Sequence, residues 1–187
     1  MTRLLLVILI CGFAATAFAQ RPAPIDKQQL KKELQPLDKL NGVWRGKATY
    51  NVGPGQSKTL TQTERVGPML GGIVKVVEGR GYAADGSTQF NALGVIAYNP
   101  ATKQLEMRSY ADGRVGDFPL VLTDDGFRWT IESGPMKIEY TAVVKDGTWT
   151  ETGTRAMGNA PPIQFFQMVL KRIGDSDWPQ TKPIPMK

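Results

Sequence analysis

From Gly42 onward the chain alternates apolar and polar residues in short runs, and a turn signal cuts these every eight to fourteen residues. The breaks are Gly53-Pro54-Gly55, Gly67-Pro68, Asp85-Gly86, Asn99-Pro100, Asp112-Gly113, Asp125-Gly126, Gly134-Pro135, Asp146-Gly147 and Gly158 through Pro162. These nine breaks separate ten predicted strands, over 43–51, 58–66, 71–82, 88–98, 103–110, 115–122, 126–133, 136–144, 147–156 and 163–172. Alternation with a period of two marks a strand with one face buried. Asp-Gly turns suit tight hairpins, because glycine accepts the positive φ they require. A flat sheet of ten such strands would leave two open edges, and closure removes both. The expected fold class is all-β: a ten-stranded antiparallel up-and-down barrel with a short N-terminal helix. A sandwich of two sheets is the rival.

The flanks read differently. Arg3, the apolar run Leu4 to Ile10 and the small residues of Ala17-Phe18-Ala19 form an export signal over residues 1–19, cut before Gln20. The chain is therefore expected in the periplasm or secreted. The apolar run is too short to span a bilayer, so no integral membrane span is expected. Residues 20–41 form a helical segment: Asp26 can cap it, Leu30, Leu34 and Leu37 share a face, and Pro36 ends or kinks it. The barrel occupies 42–174, and the proline-rich tail 175–187 is irregular.

Composition removes several function classes. The 187 residues hold no histidine and one cysteine, which lies inside the leader. That rules out a Ser-His-Asp triad, histidine-ligated zinc and an imidazole base, and leaves no disulfide after export. No metal, cofactor or catalytic residue is assigned. Acid–base chemistry would fall to carboxylates or tyrosine, with Glu64, Glu78 and Glu139 as candidates. Without the leader, 22 basic residues face 17 acidic ones, a net charge of +5 spread along the chain. Nucleic-acid binders cluster such charge, so no nucleic-acid partner is expected.

Strand parity sorts side chains into two faces. Trp44, Gly46, Ala48 and Tyr50 are placed inside, as are Phe127, Trp129 and Ile131, and Phe166, Met168 and Leu170 together with Arg172. The threonine stripes 59, 61, 63 and 148, 150, 152, 154 are outer-face strand formers.

The stretch "LDKLNGVWRG" at 37–46 resembles the Gly-x-Trp opening of lipocalin-type (calycin) barrels, where a helical turn leads into the first strand. The resemblance implies that Gly42 and Trp44 close one end and that Arg172, from the last strand, packs over the indole. "TQTERVGPMLGG", "ALGVIAYNPAT" and "RSYADG" extend a similarity over 37–173 to a bacterial family of lipocalin-like proteins without an assigned function. A more distant similarity reaches fatty-acid-binding and nitrobindin-type barrels. The haem of the latter needs a proximal histidine, so it is not carried over.

One motif occurs twice. "GRGYAADG" at 79–86 and "MRSYADG" at 107–113 each set Arg-x-Tyr before an Ala-Asp-Gly turn. Residues two apart on a strand share a face, and an arginine and a tyrosine so placed can grip one carboxylate. Val74 and Val76 put Glu78, Arg80 and Tyr82 on the inward face, near the mouth. Ordinary patterning puts Arg108 and Tyr110 outside, unless a polar-lined cavity reverses it. The alternative for the first pair is that Glu78 and Arg80 neutralise each other. The function expected is binding of a small apolar molecule, lipid- or fatty-acid-like, with Arg80 and Tyr82 holding an acidic head group. Phe127, Trp129, Ile131, Tyr140, Phe166 and Met168 would line the cavity, with Tyr50, Arg108 and Tyr110 as further contacts. The competing readings are a barrel enzyme using Glu or Tyr, and an interaction module with a filled core.

Overall fold

A computed structural model describes residues 25–179. The expected leader over 1–19 and residues 180–187 of the tail lie outside the described residues. One α-helix precedes ten strands: α1 (Lys27–Leu34), β1 (Gly42–Gly53), β2 (Gln56–Met69), β3 (Val74–Tyr82), β4 (Thr88–Asn99), β5 (Gln104–Ala111), β6 (Arg114–Thr123), β7 (Gly126–Ser133), β8 (Met136–Lys145), β9 (Thr148–Met157) and β10 (Ile163–Gly174). Each strand pairs antiparallel with its sequence neighbours, and β1 pairs with β10, so the sheet closes into a barrel. Closure satisfies the edge amides and carbonyls that a sandwich would leave open. No helix among the described residues is long and apolar enough to cross a membrane.

The helical segment forms the plug. The Asp26 carboxylate accepts a hydrogen bond from the Gln28 amide at 2.9 Å and caps α1. Pro36 then opens a 3₁₀ segment, Gln35–Leu40, that turns the chain across the end of the barrel. Leu34, Leu37 and Leu40 are at most 2% exposed. Beneath them the Trp44 indole donates to the Leu40 carbonyl at 2.8 Å and meets Trp149 edge-on, with centroids 5.9 Å apart. Val66, Ile96, Leu105, Leu120, Phe127, Val144 and Leu170 complete this closed end.

The closure differs from the lipocalin-like expectation in one contact. Trp44 and Arg172 are register partners across the β1–β10 seam. The Arg172 guanidinium, however, donates to the Asn41 carbonyl at 3.3–3.4 Å and to Asp175 at 2.5 Å, rather than lying over the indole. A Cβ on Gly42 would stand 2.8 Å from Arg172 Nε, so glycine there opens the path to Asn41.

One predicted turn is also displaced. Gly67-Pro68 lies inside β2, and the chain reverses at Leu70–Gly72 instead. Pairing between β1 and β2 ends at Gly42 and Val66, so beyond that point β2 has a free side, where a proline without an N–H is tolerated.

Candidate functional site

The barrel is packed unevenly along its axis. The closed end holds most of the fully buried side chains, whereas most inward-facing residues nearer the mouth are only half-buried. These include Phe90, Ala92, Ser109, Phe118, Trp129, Ile131, Ile138, Tyr140 and Phe166. The two sides of this upper half also differ. On β4, β5 and β6 several inward positions are small, Ala92 and Gly94, Ser109 and Ala111, and Gly116, with Phe90 and Phe118 among them. The other aromatic residues of this half stand on β7, β8 and β10. Trp129 and Tyr140 stack with centroids 4.3 Å apart and planes 11° apart, Phe118 leans on Trp129 at 5.3 Å, and Phe166 meets Tyr140 at 5.8 Å. These half-buried rings keep part of their surface accessible on the mouth side of the packed end.

Two carboxylic acids lie below this aromatic wall. Glu64 on β2 and Glu151 on β9 are each 8% exposed. The Gln62 amide, itself 4% exposed, donates to Glu64 at 2.7 Å. The Trp129 indole donates to Glu151 at 3.4 Å. Loss of hydration pushes Glu64 up to about 8; the negative charges of Glu151 and Glu78 add to this, and the Gln62 hydrogen bond opposes it. Burial likewise pushes Glu151 up to about 7, against the pull of the neighbouring indole N–H groups. The Tyr140 phenol is raised to about 12 by burial and by Glu151. The Trp149 indole N–H lies near enough to Glu151 to lower its pKa but forms no well-aligned hydrogen bond with it.

Several predicted lining residues come together here. Phe127, Trp129, Ile131, Tyr140, Phe166 and Met168 all face inward, with Phe127 and Met168 buried lower down and Tyr50 half-buried. The Arg-x-Tyr pairs do not join them. On β3 the buried positions are Lys75, Gly79 and Gly81, so Glu78, Arg80 and Tyr82 face outward, opposite to expectation. The reason lies across the strand pair. A Cβ on Gly79 would stand 2.7 Å from Glu64 Oε1, and one on Gly81 2.8 Å from a Leu60 methyl. β3 presents its glycines inward because the long side chains of β2 already fill that layer. Outside, Arg80 donates to Glu78 at 2.5 Å, the mutual neutralisation weighed as the alternative. Both residues line a surface groove of about 500 Å³ with Val43, Thr63, Glu64, Arg65, Tyr82 and Trp178. Arg108 is also outside, paired with Asp117 at 3.1 Å and with the Tyr110 hydroxyl.

Of the acid–base candidates, only Glu64 is internal. Glu139 lies outside, 3.9 Å from Arg128. Glu151 and Lys75 were not anticipated. Glu151 could have been found by parity, since it lies opposite the threonine stripe of β9. Lys75 is 2% exposed and donates to Asp38 at 3.0 Å and to Asn41 at 2.5 Å, tying β3 to the plug. Burial lowers its ammonium pKa, against the pull of Asp38. Among the described residues no cluster of three or more metal-ligating side chains occurs.

Residues 29–112 match a family profile described as "Protein of unknown function (DUF1579)". Among solved structures, the chain is similar to one titled "Crystal Structure of Rv2717c from M. tuberculosis", with a TM-score of 0.57 and 13% identity. That match covers 75% of this chain and 96% of the other, and at such identity the likeness is one of fold alone. No curated protein matches the chain.

Proposed function

We propose that this barrel is an exported, lipocalin-like binding module whose upper chamber takes up a small, largely apolar molecule through the mouth. The observation that carries the reading is the half-buried aromatic cluster of Trp129, Tyr140, Phe118 and Phe166, in a half of the barrel whose β4 to β6 strands turn several small residues inward. A concave apolar surface with a few polar groups at its base is the usual form of a small-molecule site. Rings already held by stacking lose little freedom when a ligand arrives. The polar end of the ligand meets carboxyl groups rather than a guanidinium. An acidic head group held by Arg80 and Tyr82 is therefore withdrawn, because both lie outside. The export leader read from residues 1–19 supports a site of action beyond the inner membrane.

A titration with Nile red, a neutral dye that brightens in apolar surroundings, tests this. Saturable one-to-one binding is expected, weakened about tenfold by Trp129→Ala through loss of ring contact. Arg80→Ala should leave it unchanged. Equal loss in Arg80→Ala, or no saturable binding by wild type, would overturn the reading.

A further inference from the structure

The upper chamber ends on two acids that lack a cation. None of the inward-register cations among the described residues is paired with either acid, and Arg114 stands exposed at the first position of β6, at the mouth. Lys75 is held by Asp38 and Asn41 at the plug, Arg172 by Asn41 and Asp175 at the closed rim, and Arg155 lies by the Phe165 ring at the mouth. Glu64 receives a hydrogen bond from the Gln62 amide, and Glu151 a long one from Trp129 with the Trp149 N–H also near it. A carboxylate offers about four acceptor sites, so most of this capacity is unfilled. A second sign of incompleteness lies beside Glu151. Trp149 is 3% exposed, and its indole N–H, close enough to Glu151 to lower its pKa, makes no well-aligned hydrogen bond. Burying a polar group without a hydrogen bond is costly, and such groups mark places where something else completes the network.

We propose that the chamber selects an apolar amine, its ammonium seated at Glu64 and Glu151 and its hydrocarbon part against Trp129 and Tyr140. This rests on the binding reading above and adds the chemical class of the ligand. An ammonium brings three donors and one positive charge to a layer that has acceptors and no free cation. Its attraction to a carboxylate is strengthened by exclusion of water. Once Glu151 is ionised, it becomes a stronger acceptor for the Trp149 N–H. A bare metal ion fits less well, since two carboxyl groups set among aromatic rings supply too few ligands.

Calorimetric titration at pH 8 with octylamine, octan-1-ol and octanoate separates the two claims. Octylamine is expected to bind at least about tenfold tighter than octanol, the size of a charge-assisted hydrogen bond, with octanoate weakest. Glu151→Gln and Glu64→Gln keep shape and remove charge; each should bring octylamine to within about twofold of octanol measured on the same variant. Circular dichroism and melting confirm that both variants are folded. If octanol or octanoate binds wild type as tightly as octylamine, or the amine preference survives both substitutions, the inference falls and the binding reading stands. If Ca²⁺ or Zn²⁺ alone binds and is lost in Glu151→Gln, the site is a metal site and the inference falls. Failure of all three octyl probes to bind would overturn the binding reading as well.

Discussion

Glu64, Glu151 and Lys75 are ionisable groups buried inside a small barrel, and each is stabilised differently. Lys75 has a charged partner, since Asp38 reaches it from solvent with a side chain 59% exposed. Removing Asp38 leaves a buried ammonium uncompensated, whereas replacing the lysine leaves only a hydrated carboxylate. Asp38→Ala should therefore cost about 3 kcal/mol and Lys75→Met less than about 1 kcal/mol, as read from urea unfolding. The two glutamates have no cationic partner among the described residues, and burial raises the pKa of both. Their folded-state pKa values, about 8 and about 7, lie above the ordinary 4.5. Between those values the folded chain holds protons that the unfolded chain has released, so stability falls as pH rises from about 4.5 toward about 8. The groups acting on Glu64 are Gln62, Glu151 and Glu78, and those on Glu151 are the indoles of Trp129 and Trp149. Glu64→Gln cannot ionise and should gain on the order of 3 kcal/mol relative to wild type at pH 9, and little at pH 4. Equal unfolding free energies at pH 9 would contradict this.

Strands differ in how plainly they declare their faces. β7 is unambiguous, because Phe127, Trp129 and Ile131 alternate with Arg128, Thr130 and Glu132, and its parity was readable from sequence. β3 misleads because its inward positions include two glycines, which carry no hydrophobic signal, and a lysine, while valines stand on both faces. What fixes its parity is the volume of Glu64 and Leu60 on the neighbouring strand, a cross-strand fact that periodicity within one strand does not contain. The same limit explains the site. Parity alone places Glu64 and Glu151 inward, but only the closed register brings strands so far apart in sequence to one interior layer. The seam that makes the register possible is tight. A Cβ on Gly46 would fall 2.0 Å from the Val169 carbonyl oxygen and 2.9 Å from Leu170 Cα, both backbone atoms of β10. Gly46→Ala should force β1 and β10 apart at a cost of about 3 kcal/mol. Amide exchange across the Gly46–Leu170 register should accelerate before that of β5 or β6.

As a whole the molecule divides its labour along the barrel axis. The lower half is a packed core of leucines and paired tryptophans under a helical lid, and such close packing holds one register rather than several. That half supplies the rigidity that lets the upper half stay open, since half-buried rings stabilise less than buried ones. Polar groups collect where the two halves meet, deep enough to lose most water and high enough to be reached from the mouth. Crystals soaked with iodobenzene, a neutral apolar probe with a strong anomalous scatterer, would locate the chamber directly. An iodine peak between the Trp129–Tyr140 pair and the small residues Gly94 and Ser109, inside the barrel, is the predicted result. A peak confined to the outer face, or an interior filled by side chains with no iodine in it, would contradict it.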